Sequence, residues 1–516
     1  CRIAPQTSIC STKYQPQISL QKLLSSYVAS SAEAQWLVSE LRGLDNYNWG
    51  YDPYHYTVPE GSYAINPEGI SRLVEFREMI LAIHRLGFRV VMDVVYNHTH
   101  AAGKTSTAVL DKIVPNYYHR LSPSTGEIEM STCCYNTATE RVMMAKLMTD
   151  SLVVWARDYA IDGFRFDLMG HQPKAAMLAA REAVRAVDAD SYFYGEGWNF
   201  GEVANNSQFE QASQLSLAGS EIGTFSDRLR DAVRGPGMNR TGNDLRRAQG
   251  IGNGLFTVPN ELQQEQTLAK QADNYYLMMD QIRIGLTGNL ANYPLINSQG
   301  EAVLGKDIPY GDQPTGYALD PADTINYVAK HDNQTLWDNN QYRINVNVST
   351  DDRVRMQLQS LAFTLLAQGI PFVQMGTELL RSKSFLRDSY DYGDWFNYLD
   401  FTMQSHGYGV GLPPAEKDAD NWSLISSLLS ANQGRDQVNF KHMALSNALF
   451  NDLIALRMSS PLFRLTTAED IINKVRFLNT GKTQQPGLLV MQLDDETAQL
   501  DDNDQDIVVI FNVSAE

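Results

Sequence analysis

The stretch RLVEFREMILAIHRLGFRVVMDVV, residues 72–95, contains the fold in miniature. Leu73, Phe76, Ile80 and Ile83 recur at three- and four-residue spacing, which predicts a helix over residues 72–86 with one apolar face. Gly87 supplies the stop, and residues 88–95 form an apolar run of strand length. The same alternation recurs along the chain. Residues 141–160 read as a helix leading into a strand at 161–167, and residues 175–187 as a helix leading into a strand at 192–196. Strand-type runs follow at 325–330 and 370–375, the second after an apolar helix at 354–366, with a weaker candidate near 289–296. Helix-like stretches at 18–28 and 34–41 precede them all.

Helices alternating with near-continuously apolar strands imply a parallel sheet buried on both faces. Polar residues cluster just past the strand ends, where a (β/α)₈ barrel builds its site. The expected class is therefore α/β, a (β/α)₈ TIM barrel. About six strands can be counted where a closed barrel needs eight, so the first two are expected upstream of Cys1. Short β-type runs at 475–477, 487–493 and 507–513 suggest a C-terminal all-β domain. The expected division is 1–45 as an insertion or linker, 46–444 as the barrel from its third strand, and 445–516 as a truncated β-sandwich. Residues 201–320 and 381–440 read as long loops on the functional face.

The 516 residues hold 42 Lys plus Arg against 60 Asp plus Glu, a net charge of −18, and no basic block able to track a phosphate backbone. Nucleic acid is not an expected partner. The 43% apolar content can fill a sizeable core, and no apolar run is long enough for a membrane-spanning helix. A Cys1–Cys10 disulfide is open in an oxidising compartment, with two free thiols as the alternative. Cys133 and Cys134 read as ordinary thiols, because a bridge between adjacent cysteines closes a strained ring.

Four segments end apolar runs and deliver the side chains that cleave a glycosidic bond: Asp93-Val94-Val95-Tyr96-Asn97-His98, Gly163-Phe164-Arg165-Phe166-Asp167, Gly195-Glu196-Gly197-Trp198 and His331-Asp332-Asn333. Retaining hydrolysis needs a carboxylate and a carboxylic acid about 5–5.5 Å apart. Asp167 and Glu196 end successive predicted strands and can converge. Arg165, two residues before Asp167, shares its face of the strand and is expected to hold it ionised. Glu196, between glycines and with no adjacent cation in sequence, suits an acid that then acts as a base. Asp332 is suited to hydrogen bonding sugar hydroxyls. His98 and His331 read as neutral donors to sugar hydroxyls rather than metal ligands, and no metal is expected at the site. Tyr51 and Trp198 suit sugar stacking, whereas Trp337 reads as core. The acidic stretch Asp501-Asp502-Asn503-Asp504 could hold a structural calcium, with a solvated loop as the preferred reading. No cofactor is required.

In order and spacing these segments resemble the α-amylase superfamily of retaining glycoside hydrolases. Tyr47-Asn48-Trp49-Gly50-Tyr51-Asp52-Pro53 is similar to the signature of its type I pullulanases and limit dextrinases, which cut α-1,6 branch linkages. The likeness runs from about Tyr47 to Val513 and includes Gly223-Thr224-Phe225-Ser226-Asp227-Arg228 and Arg381-Ser382-Lys383-Ser384. It implies Asp167 as nucleophile, Glu196 as acid/base and Asp332 as transition-state stabiliser. It also implies substrate contacts from Tyr51, Asp52, His98, Arg165, Trp198, His331, Asn333 and Asp388, with Asp93 supporting Asn97 and His98. The expected partner is an α-glucan polysaccharide such as pullulan, amylopectin or a limit dextrin, and the expected state a monomer. The Cys1–Cys10 segment resembles an insertion of secreted bacterial members, which implies an extracellular or cell-surface location. Gly411-Leu412-Pro413-Pro414 and the segment from Ser460 to Leu465 are closer to plant limit dextrinases, making a plastid the alternative. An isoamylase or branching enzyme would share the same carboxylates, and a non-catalytic carbohydrate-binding barrel would be expected to lose them.

Overall fold

The computed structural model describes residues 19–44, 50–496, 500–501 and 506–514. Cys1, Cys10, Tyr47–Trp49 and Asp502–Asp504 lie outside the described residues. Residues 72–95 fold as their pattern requires. Helix α1 (Ser71–Arg85) buries Ile80 and half-buries Leu73 and Phe76. It ends where Gly87, at φ +84°, donates its N–H to the His84 carbonyl, in the left-handed conformation that favours glycine. Strand β1 (Val91–Val94) follows.

The unit repeats through α2 (Val142–Tyr159), β2 (Gly163–Phe166), α3 (Lys174–Arg185), β3 (Tyr192–Gly195), β4 (Gly223–Phe225), α4 (Asp227–Arg234), α5 (Leu268–Leu286), β5 (Thr324–Asn326), α6 (Thr350–Leu365) and β6 (Ile370–Pro371). The six strands form one sheet in the order β1-β2-β3-β4-β5-β6, every neighbour parallel. Sequential order with helical returns puts all strand carboxyl ends on one side, which is what gathers the site. Phe164, Phe166, Phe193, Trp155 and Met148 fill the core between sheet and helices, while Val91 on edge strand β1 is exposed.

The strand count is as expected, but one member differs. Residues 294–296 pair antiparallel with 302–304 in a separate hairpin, where Pro294, lacking an N–H, is better tolerated than inside a sheet. The fourth strand is instead β4, only three residues long and set within a stretch expected to be loop. That stretch also contains the 19-residue α5. Leu268, Ala272, Tyr275, Met279, Ile282 and Leu286 form its apolar stripe, and it also buries Gln271, Asp280, Gln281 and Arg283.

Helix α7 (Phe440–Ser459) runs unbroken across residues 444 and 445. Beyond it β7 (Val475–Phe477), β8 (Leu488–Asp494) and β9 (Asp506–Asn512) form an antiparallel meander, close to the expected runs. Leu489, Met491, Leu493 and Phe511 face inward and share one core with Met279 and Ile284 of α5 and Phe363 of α6. The Phe363 and Phe511 rings stack with centroids 4.6 Å apart. Phe511→Ala should therefore destabilise the chain by about 3–5 kcal/mol, read from the urea midpoint; an unchanged midpoint would mean that this sheet is not docked on α6.

Candidate active site

Register assembles the site. In the parallel ladders Asp93 lies opposite Arg165, and Phe166 opposite Gly195. Asp167 and Glu196 are the next residues on adjacent strands, so their carboxylates emerge side by side, as expected. Gly195 permits this closeness, since a Cβ there would sit 2.4 Å from the Phe166 carbonyl oxygen.

Arg165 is 3% exposed, and its guanidinium lies 2.8 Å from Asp93, 3.1 Å from Asp167 and 3.1 Å from Glu196. Asp93 also accepts from the Tyr51 hydroxyl. This corrects the expectation that Asp93 supports Asn97 and His98: it holds Arg165 and Tyr51, because its partner across the sheet is Arg165. Tyr51 is 3.3 Å from His331 Nε2, with ring centroids 5.3 Å apart. The second cation is Lys330, whose buried Nζ meets both Glu196 and Asp332. Glu196 Oε2 also accepts the Leu168 N–H at 3.1 Å.

The expectation of a Glu196 without a neighbouring cation is therefore wrong. Burial would raise its carboxyl, but the charges of Lys330 and Arg165 outweigh burial and bring it below the ordinary carboxylate range. Asp332 is lowered in the same way, burial being overcome chiefly by Lys330. Asp167 goes the other way. Burial first, then the negative charge of Glu196, raise it to about 7 against the pull of Arg165, so Arg165 does not by itself keep it ionised. Four carboxylates face two cations, and the excess negative charge falls on Asp167, the one carboxyl of the cluster that is raised. Lys330 was legible in principle: two residues before Asp332, it shares that residue's face as Arg165 shares that of Asp167.

His98 is 1% exposed and stands behind this cluster. Its Nδ1 accepts from Asn97 at 2.8 Å, leaving Nε2–H to donate to the Tyr51 carbonyl at 2.8 Å. Burial lowers its pKa and keeps it neutral. Asn333 and Asp388 meet through the Asn333 N–H at 3.4 Å, and Lys383 braces the same loop by donating to the His331 and Arg387 carbonyls. Trp198 is half-buried beside Phe225 and Tyr327, whereas Trp337 is fully buried, as expected of core. Asp52 lies at the rim, 3.8 Å from His100. A cavity of about 660 Å³ runs along edge strand β1 past Tyr56, Phe76, Met92 and Trp155 and touches only Asp93 of the cluster.

A further expectation fails at the rim. Cys133 and Cys134 are joined as a disulfide, not two thiols, on the loop before a two-residue ladder that pairs Tyr135–Asn136 with His98–Thr99.

Carboxylates and cations gathered past the carboxyl ends of parallel strands make this the kind of site that α/β enzymes build. Residues 403–516 match the family described as α-1,6-glucosidases, pullulanase-type, C-terminal. The chain is 51% identical over 465 residues to a pullulanase of Klebsiella aerogenes, covering 90% of this chain and 41% of that protein. To the chloroplastic pullulanase 1 of Arabidopsis thaliana it is 44% identical over 512 residues, covering 95% and 52%. A solved maltotriose complex of PulA from Klebsiella pneumoniae superposes with a TM-score of 0.92 at 47% identity, over 98% of this chain and 55% of that one. The chain is thus related to the pullulanases over nearly all of its described length, and it spans about half the length of these relatives. None of its described helices is long and apolar enough to cross a membrane.

Proposed function

We propose that this chain carries the catalytic face of a retaining glycoside hydrolase that cleaves α-1,6-glucosidic branch linkages in pullulan, amylopectin and limit dextrins. The observation that carries the reading is the pairing of Asp167 and Glu196 on adjacent strands, with Asp332 joined to Glu196 through Lys330. In this reading Asp167 attacks the anomeric carbon while Glu196 protonates the leaving oxygen, giving a covalent glucosyl-enzyme; Glu196 then deprotonates the attacking water. For the first step Asp167 must be ionised and Glu196 protonated. Productive binding must therefore separate Lys330 from Glu196, because their ion pair favours the ionised carboxylate. Tyr51, Arg165 and His331 line the cleaved sugar's side, with His98 fixing Tyr51 from behind. Trp198, Asn333, Asp52 and Asp388 form the rim that meets neighbouring sugars.

In the same reading β1–β6 are strands three to eight of a (β/α)₈ barrel, since among the described residues β1 and β6 each have one neighbour in the sheet and two further strands would close it. The barrel starts near residue 46, after the insertion of residues 1–45. It gives way to the β-sandwich after α7 rather than at residue 444, because that helix is continuous. The chemistry runs on carboxylates and needs no cofactor; a structural calcium would fall to the acidic stretch beginning at Asp501. We place the protein outside the bacterial cell or on its surface, acting as a monomer, with a plastid as the alternative that the chloroplastic relative keeps open.

Product analysis tests the reading. Pullulan incubated with an active protein containing this chain should yield maltotriose as the end product, with the α anomer released first. Lengthened or rearranged branches would instead indicate a transglycosylase, and unaltered polymer a binding barrel.

A further inference from the structure

The disulfide at the rim faces a histidine. Cys133 Sγ lies 3.7 Å from His98 Nε2, and Cys134 Sγ lies 3.9 Å from Asp52 Oδ1. His98 Nε2 and the two sulfurs all fall within 4.8 Å of one another. In a tetrahedral zinc site with Zn–S and Zn–N bonds of ordinary length, ligand atoms stand about 3.5–3.8 Å apart. Cys133 Sγ and His98 Nε2 already stand at that spacing, and reduction frees the two bonded sulfurs to move apart to it. Cys133 is exposed and Cys134 half-buried, so a reductant can reach the bond, while His98 is buried and held in place by its hydrogen bonds.

We propose that the reduced Cys133–Cys134 pair, with His98 Nε2 and a carboxylate oxygen of Asp52, forms a binding site for a thiophilic divalent cation such as Zn²⁺. Formation takes two balanced steps. An external dithiol gives two electrons and two protons to the S–S bond, becoming a disulfide itself and leaving two thiols. Zn²⁺ then binds both sulfurs and releases the two thiol protons to solvent. The third ligand has a structural consequence. His98 Nε2 carries the hydrogen donated to the Tyr51 carbonyl, so a metal can take that nitrogen only when the proton moves to Nδ1 or leaves, and the bond to Tyr51 is broken. Tyr51 bridges Asp93 and His331, so metal capture at the rim loosens the cluster beside the carboxylates. The binding stands on the geometry alone; its effect on hydrolysis rests on the function proposed above.

The test compares the chain in two redox states. The purified protein is reduced with a phosphine, desalted without oxygen and titrated with Zn²⁺ against a chromogenic chelator, in parallel with the untreated oxidised protein. The reduced chain should hold one equivalent of Zn²⁺ through gel filtration and the oxidised chain none. With Cd²⁺ in place of Zn²⁺, the reduced chain should show a thiolate-to-metal charge-transfer band that weakens in Cys134→Ser and disappears in the Cys133→Ser/Cys134→Ser double variant. Equal Zn²⁺ retention by the oxidised and reduced wild-type chains would overturn the site without recourse to any variant, and so would an undiminished band in the double variant. Pullulan hydrolysis should be lost on adding Zn²⁺ to the reduced protein alone. Retention of Zn²⁺ with hydrolysis intact would overturn the link through Tyr51. Retention by a protein that hydrolyses nothing in any state would leave the metal site standing and count against the functional reading.

Discussion

Asp167→Asn is expected to lower kcat for α-1,6 hydrolysis by about four orders of magnitude or more, because no other group in the cluster can attack the anomeric carbon from the same position. That loss corresponds to at least about 5.5 kcal/mol of transition-state stabilisation. Substrate binding should change little: the amide keeps the shape of the carboxyl and can still accept from Arg165, which now lies 3.1 Å from Asp167. Glu196→Gln should cost a similar factor on natural glucans, but for a different reason. The glutamine cannot protonate the leaving oxygen, and a substrate with a strongly acidic phenol as leaving group needs no such proton. With such a substrate Glu196→Gln should show a burst followed by slow turnover, as the glucosyl-enzyme forms and then waits for a base. Steady-state and pre-steady-state rates on both substrates decide the matter. Unchanged turnover in either variant would remove that residue from its role.

Lys330→Met carries the second large effect. Burial and the charge of Glu196 raise the Asp167 carboxyl to about 7. Because the reaction needs one proton on the pair, kcat/KM should fall as pH rises through that value. Lys330 stabilises the ionised forms of Glu196 and Asp332, and a cation beside a carboxylate lowers its pKa, so removing the cation raises it. The alkaline limb in Lys330→Met should move upward by about 1–3 pH units. The variant should also be about 3–5 kcal/mol less stable near neutral pH, where buried carboxylates lose a paired charge. Lys330→Arg should retain the limb near its original position while altering kcat, which a purely structural role would not predict. A kcat/KM profile in Lys330→Met that superposes on the wild type would show that Lys330 does not tune the pair.

Much of this was open to a reading of the residues. The apolar runs that carry Asp93 and lead into Asp167, Glu196 and Asp332 are conspicuous because a strand buried on both faces has no alternation, so a carboxylate in it or just past it stands out against the run. The helix-to-strand period and the three short β runs near the C-terminus are legible for the same reason: each is long enough for its pattern to repeat. β4 is not, since three residues that open on a glycine and run into Ser226 offer no period, and its two strand neighbours hold it in place. α5 has a legible stripe in Leu268, Ala272, Tyr275, Met279, Ile282 and Leu286, but it also buries polar side chains whose partners lie far away in sequence, as Arg283 does with the Asn479 carbonyl and Gln484.

The sequence by itself determined which residues stand at the strand ends and, through their order, that Asp167 and Glu196 come from neighbouring strands. Tertiary structure alone decided their charge states, because a pKa in a buried cluster sums every charge within a few ångströms, and Lys330 reaches Glu196 from a strand end 134 residues away. It also decided that His98 stands behind Tyr51 rather than in the open cleft, and that two cysteines expected to be plain thiols are joined beside that histidine. Each of these depends on register between segments far apart in the chain, which local pattern does not encode.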